Sequence, residues 1–143
     1  MNIKKVFLAS DHAGFLLKQV ICNFLRRKGI KILDLGPKNR NSVDYPDFAH
    51  LLAKKMSKQK DNMGILVCGS GEGMIMAANK HKNIRAALCY DGRSTKLSRM
   101  HNNANVMAIG SRLTKKSVAL RCVSIFLKTN FEGGRHLKRI KKI

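Results

Sequence analysis

The 143-residue chain has no apolar run near the roughly 20 residues that a membrane-spanning helix requires. Its basic start, "MNIKKVFLAS", passes straight into "DHAGFLLK", with no full-length signal-peptide core and no small-residue cleavage site. A cytoplasmic protein with no membrane partner is therefore expected. The chain also lacks any CxxC pair, because Cys22, Cys68, Cys89 and Cys122 lie far apart. That spacing argues against a zinc ribbon or a disulfide framework and for reduced thiols. Acid is scarce: eight Asp and Glu stand against 29 Lys and Arg, for a formal charge of +21. Residues 92–143 hold 13 bases and one acid, Glu132. Such a balance raises nucleic acid as a partner. The bases, however, decorate the outer faces of apolar-periodic segments, and only the terminal "RHLKRIKKI" is dense. A Lys-rich surface is the better reading, with no nucleic-acid partner. No internal repeat, low-complexity block or Pro/Ser-rich linker divides residues 1–143, which read as one domain.

What is present is an alternation of short apolar runs and amphipathic segments. The runs "KVFLAS", "IKILDLG", "MGILVCG", "IRAALCY" and "NVMAIGS" are too apolar for strands with one wet face, so they read as buried parallel strands. Residues 14–28 gather Phe15, Leu16, Val20, Ile21, Phe24 and Leu25 on one side before a stop at Gly29. Residues 46–59, 73–81, 92–100 and 114–128 are further helix candidates, and a short helix is expected after Gly133 and Gly134. The pattern predicts an α/β fold with an open, doubly wound, five-stranded parallel sheet and right-handed crossovers. The strand order expected is the common 2-1-3-4-5.

In such a sheet, ligands collect beyond the carboxyl ends of the strands, where the strand order reverses. Here "SDHAG" follows the first strand and "CGSGEGM" the third, so Asp11 and His12 would face Cys68 across one cleft. Gly69, Gly71 and Gly73 let the backbone turn and gather N–H groups toward one point, an arrangement suited to an anion. The spacing is GxGxG, which is neither a dinucleotide fingerprint nor a P-loop. Cys68 precedes this loop, where N–H groups would stabilise a thiolate and lower its pKa. His101, in "MHNNAN", ends a helix just before the fifth strand and reads as a general acid/base candidate at the same strand ends. Arg112, and Arg135 and Arg139 in the tail, have the fork geometry that suits phosphate oxygens. His12, Cys68 and His101 offer no pair at a chelating spacing, so no metal is expected.

Taken together, "SDHAG", "VDYPDFA", "CGSGEGMIMAANK", "IRAALCYD", "LSRMHNNANVMAIGSR" and "FEGGRHLKRI" resemble the type B ribose-5-phosphate isomerases and the related galactose-6-phosphate isomerase subunits. The likeness runs in order from residue 10 to 140. It implies a Rossmann-like three-layer α/β/α sandwich and an aldose-ketose isomerase that needs neither metal nor cofactor. A phosphorylated sugar would be its substrate, and it would work as a homodimer with two shared active sites. By the resemblance, Cys68 is the base, and Ser70 with the backbone of Gly69, Gly71 and Gly73 holds the enediolate. His101 assists ring opening, Asp11 and Tyr45 line the sugar site, and Asn102 holds hydroxyls. His12 and Arg112, with Arg135 and Arg139 from a partner subunit, form the phosphate clamp, and residues 131–143 are a tail expected to dock on that partner. Some relatives place a glutamate base where Met74 stands here and lack the cysteine. Glu72 occupies a slot that is commonly apolar in relatives, and it is expected to point away from the cleft. Galactose 6-phosphate or allose 6-phosphate remains an alternative substrate, and a basic nucleic-acid-binding module an alternative of another class.

Overall fold

A computed structural model describes residues 5–57 and 62–143. Five strands form one parallel sheet: β1 (Lys5–Ser10), β2 (Ile32–Asp34), β3 (Asn62–Cys68), β4 (Ala86–Leu88) and β5 (Val106–Gly110). The helices are α1 (Phe15–Arg27), α2 (Tyr45–Ser57), α3 (Glu72–Ala78), α4 (Gly92–Asn102), α5 (Lys116–Lys128) and α6 (Gly134–Ile140). Each expected helix is present within a few residues of its expected ends; residues 58 and 59 of the second candidate lie outside the described residues.

Period-2 alternation along the inner strands sorts the core into two layers. Val6 and Leu8 of β1, Ile65 and Val67 of β3, and Met107 and Ile109 of β5 pack with Ile21 and Leu25 of α1 and Val123 and Phe126 of α5. The intervening residues, Phe7, Ala9, Leu66, Val106 and Ala108, pack on the other face with Leu52 and Met56 of α2 and Met74 and Ala78 of α3. Because β3 and β5 are buried along their whole length, both faces are covered, and the result is the expected three-layer α/β/α sandwich.

The strand order is β2-β1-β3-β5-β4, not 2-1-3-4-5. β4 is three residues long and half-exposed throughout, whereas all five residues of β5 are buried. The longer, more deeply buried strand therefore takes the interior position beside β3, and the short one takes the edge. β2, the other edge strand, is likewise three residues long and has no fully buried position, so the two outer runs are not the buried strands their composition suggested. The exchange matters for the site, because it brings the loop after β5 against the loop after β3.

α4 is fixed at both ends. The Asp91 carboxylate accepts the Ser94 N–H at 2.7 Å as an N-cap, and Asn103 closes the helix in the left-handed conformation at φ 47°.

Candidate active site

At the carboxyl ends of β1, β3 and β5 the connecting loops meet backbone to backbone. A Cβ on Gly14 would stand 2.1 Å from the Val67 carbonyl oxygen, and one on Gly110 would stand 2.4 Å from the carbonyl oxygen of Ser70. Gly71 is left-handed, at φ 91°, and a Cβ there would lie 2.6 Å from the Leu88 side chain. Glycine is required at these three points for lack of space, and at Gly71 for conformation as well. The Ser111 N–H donates to the Cys68 carbonyl at 2.8 Å and the Arg112 N–H to that of Gly69 at 3.0 Å. The β5 loop is thereby tied to the β3 loop.

These contacts surround a cleft of about 280 Å³ lined by Asp11, Tyr45, Cys68, Gly69, Ser70, Gly73, Arg112 and Leu113. Six of these eight are residues expected from the sequence reading to touch substrate besides Cys68, and only Leu113 had no signal there. The Cys68 sulfur accepts the Gly71 N–H at 3.1 Å. The Tyr45 ring covers Gly73, which has no room for a Cβ beneath it. Asp11 is buried, and its carboxylate accepts the Gly14 N–H at 2.8 Å. Beside it, His12 Nδ1 accepts the Val43 N–H at 3.3 Å, which leaves Nε2 as the ring nitrogen able to carry the proton. Glu72 is exposed in the first turn of α3 and does not line the cleft.

The thiol itself departs from expectation. Burial pushes the Cys68 pKa up from its ordinary value; the Gly71 N–H pulls it back in part, and the Asp11 carboxylate adds to the rise. The N–H groups of the loop favour a thiolate, but the sulfur also sits in the apolar layer beside Met74 and Ala108, and desolvation dominates.

His101 and Asn102 are not at this cleft. In a parallel sheet each connecting helix runs back against the strands, so its C-terminus meets their amino ends. Cys68 pairs with Gly110, and Gly64 pairs with Val106. Those levels are about 13 Å apart along the sheet, and His101 precedes the lower one. A zinc site combining His12, Cys68 and His101 within one chain is thereby ruled out. Arg135 and Arg139 lie on α6, which packs against α4 at the same far end. There the His101 ring stacks on that of His136, with centroids 4.2 Å apart and planes 8° from parallel. At the edge of the stacked pair lies the Glu132 carboxylate, 3.7 Å from His101 Nε2 and 3.5 Å from His136 Nε2. The sequence reading gave Glu132 and His136 no role, although their i,i+4 spacing across a double glycine was visible. Asn103 and Asn105 are structural: the first accepts from Arg99, and the second accepts the Arg85 N–H and donates to the Asn83 carbonyl.

The expected residues thus divide into a Cys68 group and a His101 group at opposite ends of one sheet. Known proteins share the sequence and the fold along nearly the whole chain. A family model described as "Ribose/Galactose Isomerase" matches residues 6–143. A protein of Mycoplasma genitalium named a probable ribose-5-phosphate isomerase B is 48% identical over 140 residues, spanning 96% of this chain and 92% of that protein. The crystal structure of a ribose 5-phosphate isomerase from Thermotoga maritima superposes with a TM-score of 0.95 at 44% identity, covering 99% of this chain and 97% of that one. The structure of the M. genitalium ribose-5-phosphate isomerase B, with bound ribulose-5-phosphate, superposes with a TM-score of 0.93 at 46% identity, covering 96% and 92%. A match over nearly every residue, in sequence and in fold alike, means that this chain belongs to the ribose/galactose isomerase family.

Proposed function

We propose that this chain interconverts D-ribose 5-phosphate and D-ribulose 5-phosphate, with Cys68 as the base. The observation that carries the reading is the Cys68 sulfur held at the mouth of the glycine loop, hydrogen-bonded to the Gly71 N–H, in a cleft that also holds Asp11 and Arg112. Moving a proton between the two carbons beside a carbonyl requires a base set against an oxyanion trap. In the open-chain aldose, the Cys68 thiolate takes the proton from carbon 2, and the electron pair flows onto the carbonyl oxygen at carbon 1. The N–H groups of the Gly69–Gly73 loop and the Ser70 hydroxyl hold the resulting enediolate. Cys68 then returns the proton to carbon 1, while the proton of the carbon 2 hydroxyl passes to the oxygen on carbon 1 and carbon 2 becomes the carbonyl. Asp11 and Tyr45 line the sugar, and His12 and Arg112 take the phosphate.

Ring opening needs His101, and the sugar hydroxyls need Asn102, and one chain holds both at the wrong end. A twofold pairing that sets the His101 end of one subunit over the Cys68 end of the other completes two sites at once. In that pairing Arg135 and Arg139 of the partner subunit reach the phosphate, and residues 131–143 dock across the boundary. Support comes from the exposed apolar side chains at the two surfaces: Leu16, Tyr45 and Leu113 near the cleft, and Leu137 on α6. The enzyme is thus read as a cytoplasmic homodimer of the pentose phosphate pathway.

The deciding experiment measures turnover of ribose 5-phosphate by wild type and Cys68→Ala, each with and without a chelator. Chelator-resistant turnover that disappears with Cys68 is expected. A wild type inert on ribose 5-phosphate but active on galactose or allose 6-phosphate would move the substrate to six carbons and leave the chemistry intact.

A further inference from the structure

The turn that ends α4 is already closed by its own backbone. The Asn103 N–H donates to the Arg99 carbonyl at 3.1 Å and the Ala104 N–H to that of Ser98 at 3.0 Å, with Asn103 left-handed at φ 47°. Such a double closure ends a helix without help from a side chain. Two guanidiniums nevertheless grip the same turn. Arg99, 1% exposed, donates through one Nη to the Asn103 side-chain oxygen at 3.1 Å and to the Ala104 carbonyl, and through Nε to the Thr129 carbonyl at 3.2 Å. Arg85, the residue before β4, reaches the Asn103 carbonyl at 3.0 Å, again through Nε.

The surroundings are unfavourable for the charge they hold. Burial and the nearby Arg85 guanidinium both push the Arg99 pKa below its ordinary value. The Arg99 guanidinium also lies 5.5 Å from the ring centroid of Phe126, a member of the core layer between the sheet and α5. Apolar side chains of similar volume often serve stability as well as a buried ion or better, so stability alone is a poor account of this arginine. What a planar fork adds is direction, because Nε and Nη bonded to acceptors on two segments fix the turn relative to the end of α5. That turn carries His101, which is half-exposed, and Asn102, which is exposed. Helix ends ordinarily fray, yet a displacement of about 1 Å at a reacting group costs about 10²-fold in rate.

We propose that Arg99 is a positioning residue for the isomerase: it locks the turn at residues 99–104 so that His101 and Asn102 keep the direction in which they reach the cleft of the other subunit. Arg85 supports the same turn from β4. The positioning role rests on the shared-site function proposed above; the locking of the turn does not.

The test uses Arg99→Lys, which keeps the charge and loses the fork. Amide hydrogen exchange reads the turn without reference to catalysis. At Asn103 and Ala104 it should speed at least about tenfold, the worth of one charged hydrogen bond, while the amides of β3 exchange as in wild type. Unchanged exchange at both would overturn the lock. Activity is read in refolded mixtures of Cys68→Ala with His101→Asn chains, where the one working site takes His101 from the Cys68→Ala chain. Arg99→Lys added to that chain should lower the recovered turnover by about tenfold to 10²-fold. Added to the His101→Asn chain, whose turn serves no working site, it should leave the recovery unchanged. Equal losses in the two arrangements would show a general loss of stability and overturn the positioning role, as would no loss in either. Should Arg99→Lys fail to refold, Arg85→Lys goes into the same two arrangements and has to show the same asymmetry. A parent mixture that recovers no activity would overturn the shared-site function and the positioning role with it, while exchange at Asn103 and Ala104 still decides the lock.

Discussion

The Cys68 side chain combines two demands that oppose each other. Burial in the layer beside Met74 gives the sulfur a fixed position, and the same burial raises its pKa. The proposed base works in its deprotonated form, so on that proposal a raised pKa leaves less active enzyme at neutral pH and more as pH rises. We therefore expect kcat/KM to climb from pH 7 through the range above about 8.5, where an ordinary thiol ionises. A profile flat between pH 7 and 9 would speak against the thiol. Cys68→Ser should lose about 10² to 10⁴ in kcat, the usual worth of a positioned base, with little change in thermal stability. Gly14 offers a contrast at the same scale. Its substitution by alanine forces a Cβ to 2.1 Å from the Val67 carbonyl oxygen, so stability should fall with activity, by a few kcal/mol as for other overpacked sites. Chemical denaturation of Gly14→Ala and Cys68→Ser side by side separates the two kinds of loss. The choice of Cys68 among four cysteines was legible because glycines follow it; the direction of its pKa was not, since burial depends on the layers packed around the strand.

Among the elements, α4 positions the second half of the proposed machinery. Asp91 caps its start with a 2.7 Å hydrogen bond and also accepts from the Ser94 and Thr95 hydroxyls through its carbonyl. Replacing Asp91 by alanine should cost about 1 kcal/mol and lower Tm by about 3 °C. A helix that frays at that end yet leaves stability unchanged would show that tertiary packing, not the cap, holds α4. The alternation of strands and helices was plain in the sequence because each apolar run ends on a glycine or a polar turn. The order of β4 and β5 was not, since "IRAALCY" and "NVMAIGS" are equally apolar and only their depth in the sheet tells them apart. The position of His101 could have been deduced from direction alone: a residue that ends a crossover helix lies at the amino ends of parallel strands, away from Cys68.

For the whole molecule, the separation of the two residue groups makes a sharp forecast. Cys68→Ala and His101→Asn should each be inactive alone. Mixed, unfolded together and refolded, they should regain about a quarter of wild-type activity. Half the dimers are then mixed, and each carries one intact site drawn from both chains. No recovery would exclude shared sites. A second forecast concerns alkaline stability. Burial pushes Cys22 up to about 11 and Cys89 up to about 12. An unfolded chain ionises these thiols from about pH 8.5 while the folded chain keeps them protonated, so the folded state binds more protons and stability falls as pH rises. Denaturation midpoints should decline between pH 8.5 and 11, and Cys22→Ala with Cys89→Ala should flatten that decline. The loop junctions at Gly14, Gly71 and Gly110 have a consequence of another kind. Every amino acid that one nucleotide change can put in place of glycine carries a Cβ, and at these three positions a Cβ meets backbone or a packed side chain within 2.6 Å. No single-nucleotide change of residue at any of the three codons therefore leaves the cleft unstrained. On the proposed function, drift in substrate preference has to come from Tyr45, Leu113 and the other side chains around the rim, while the glycine framework stays where it is.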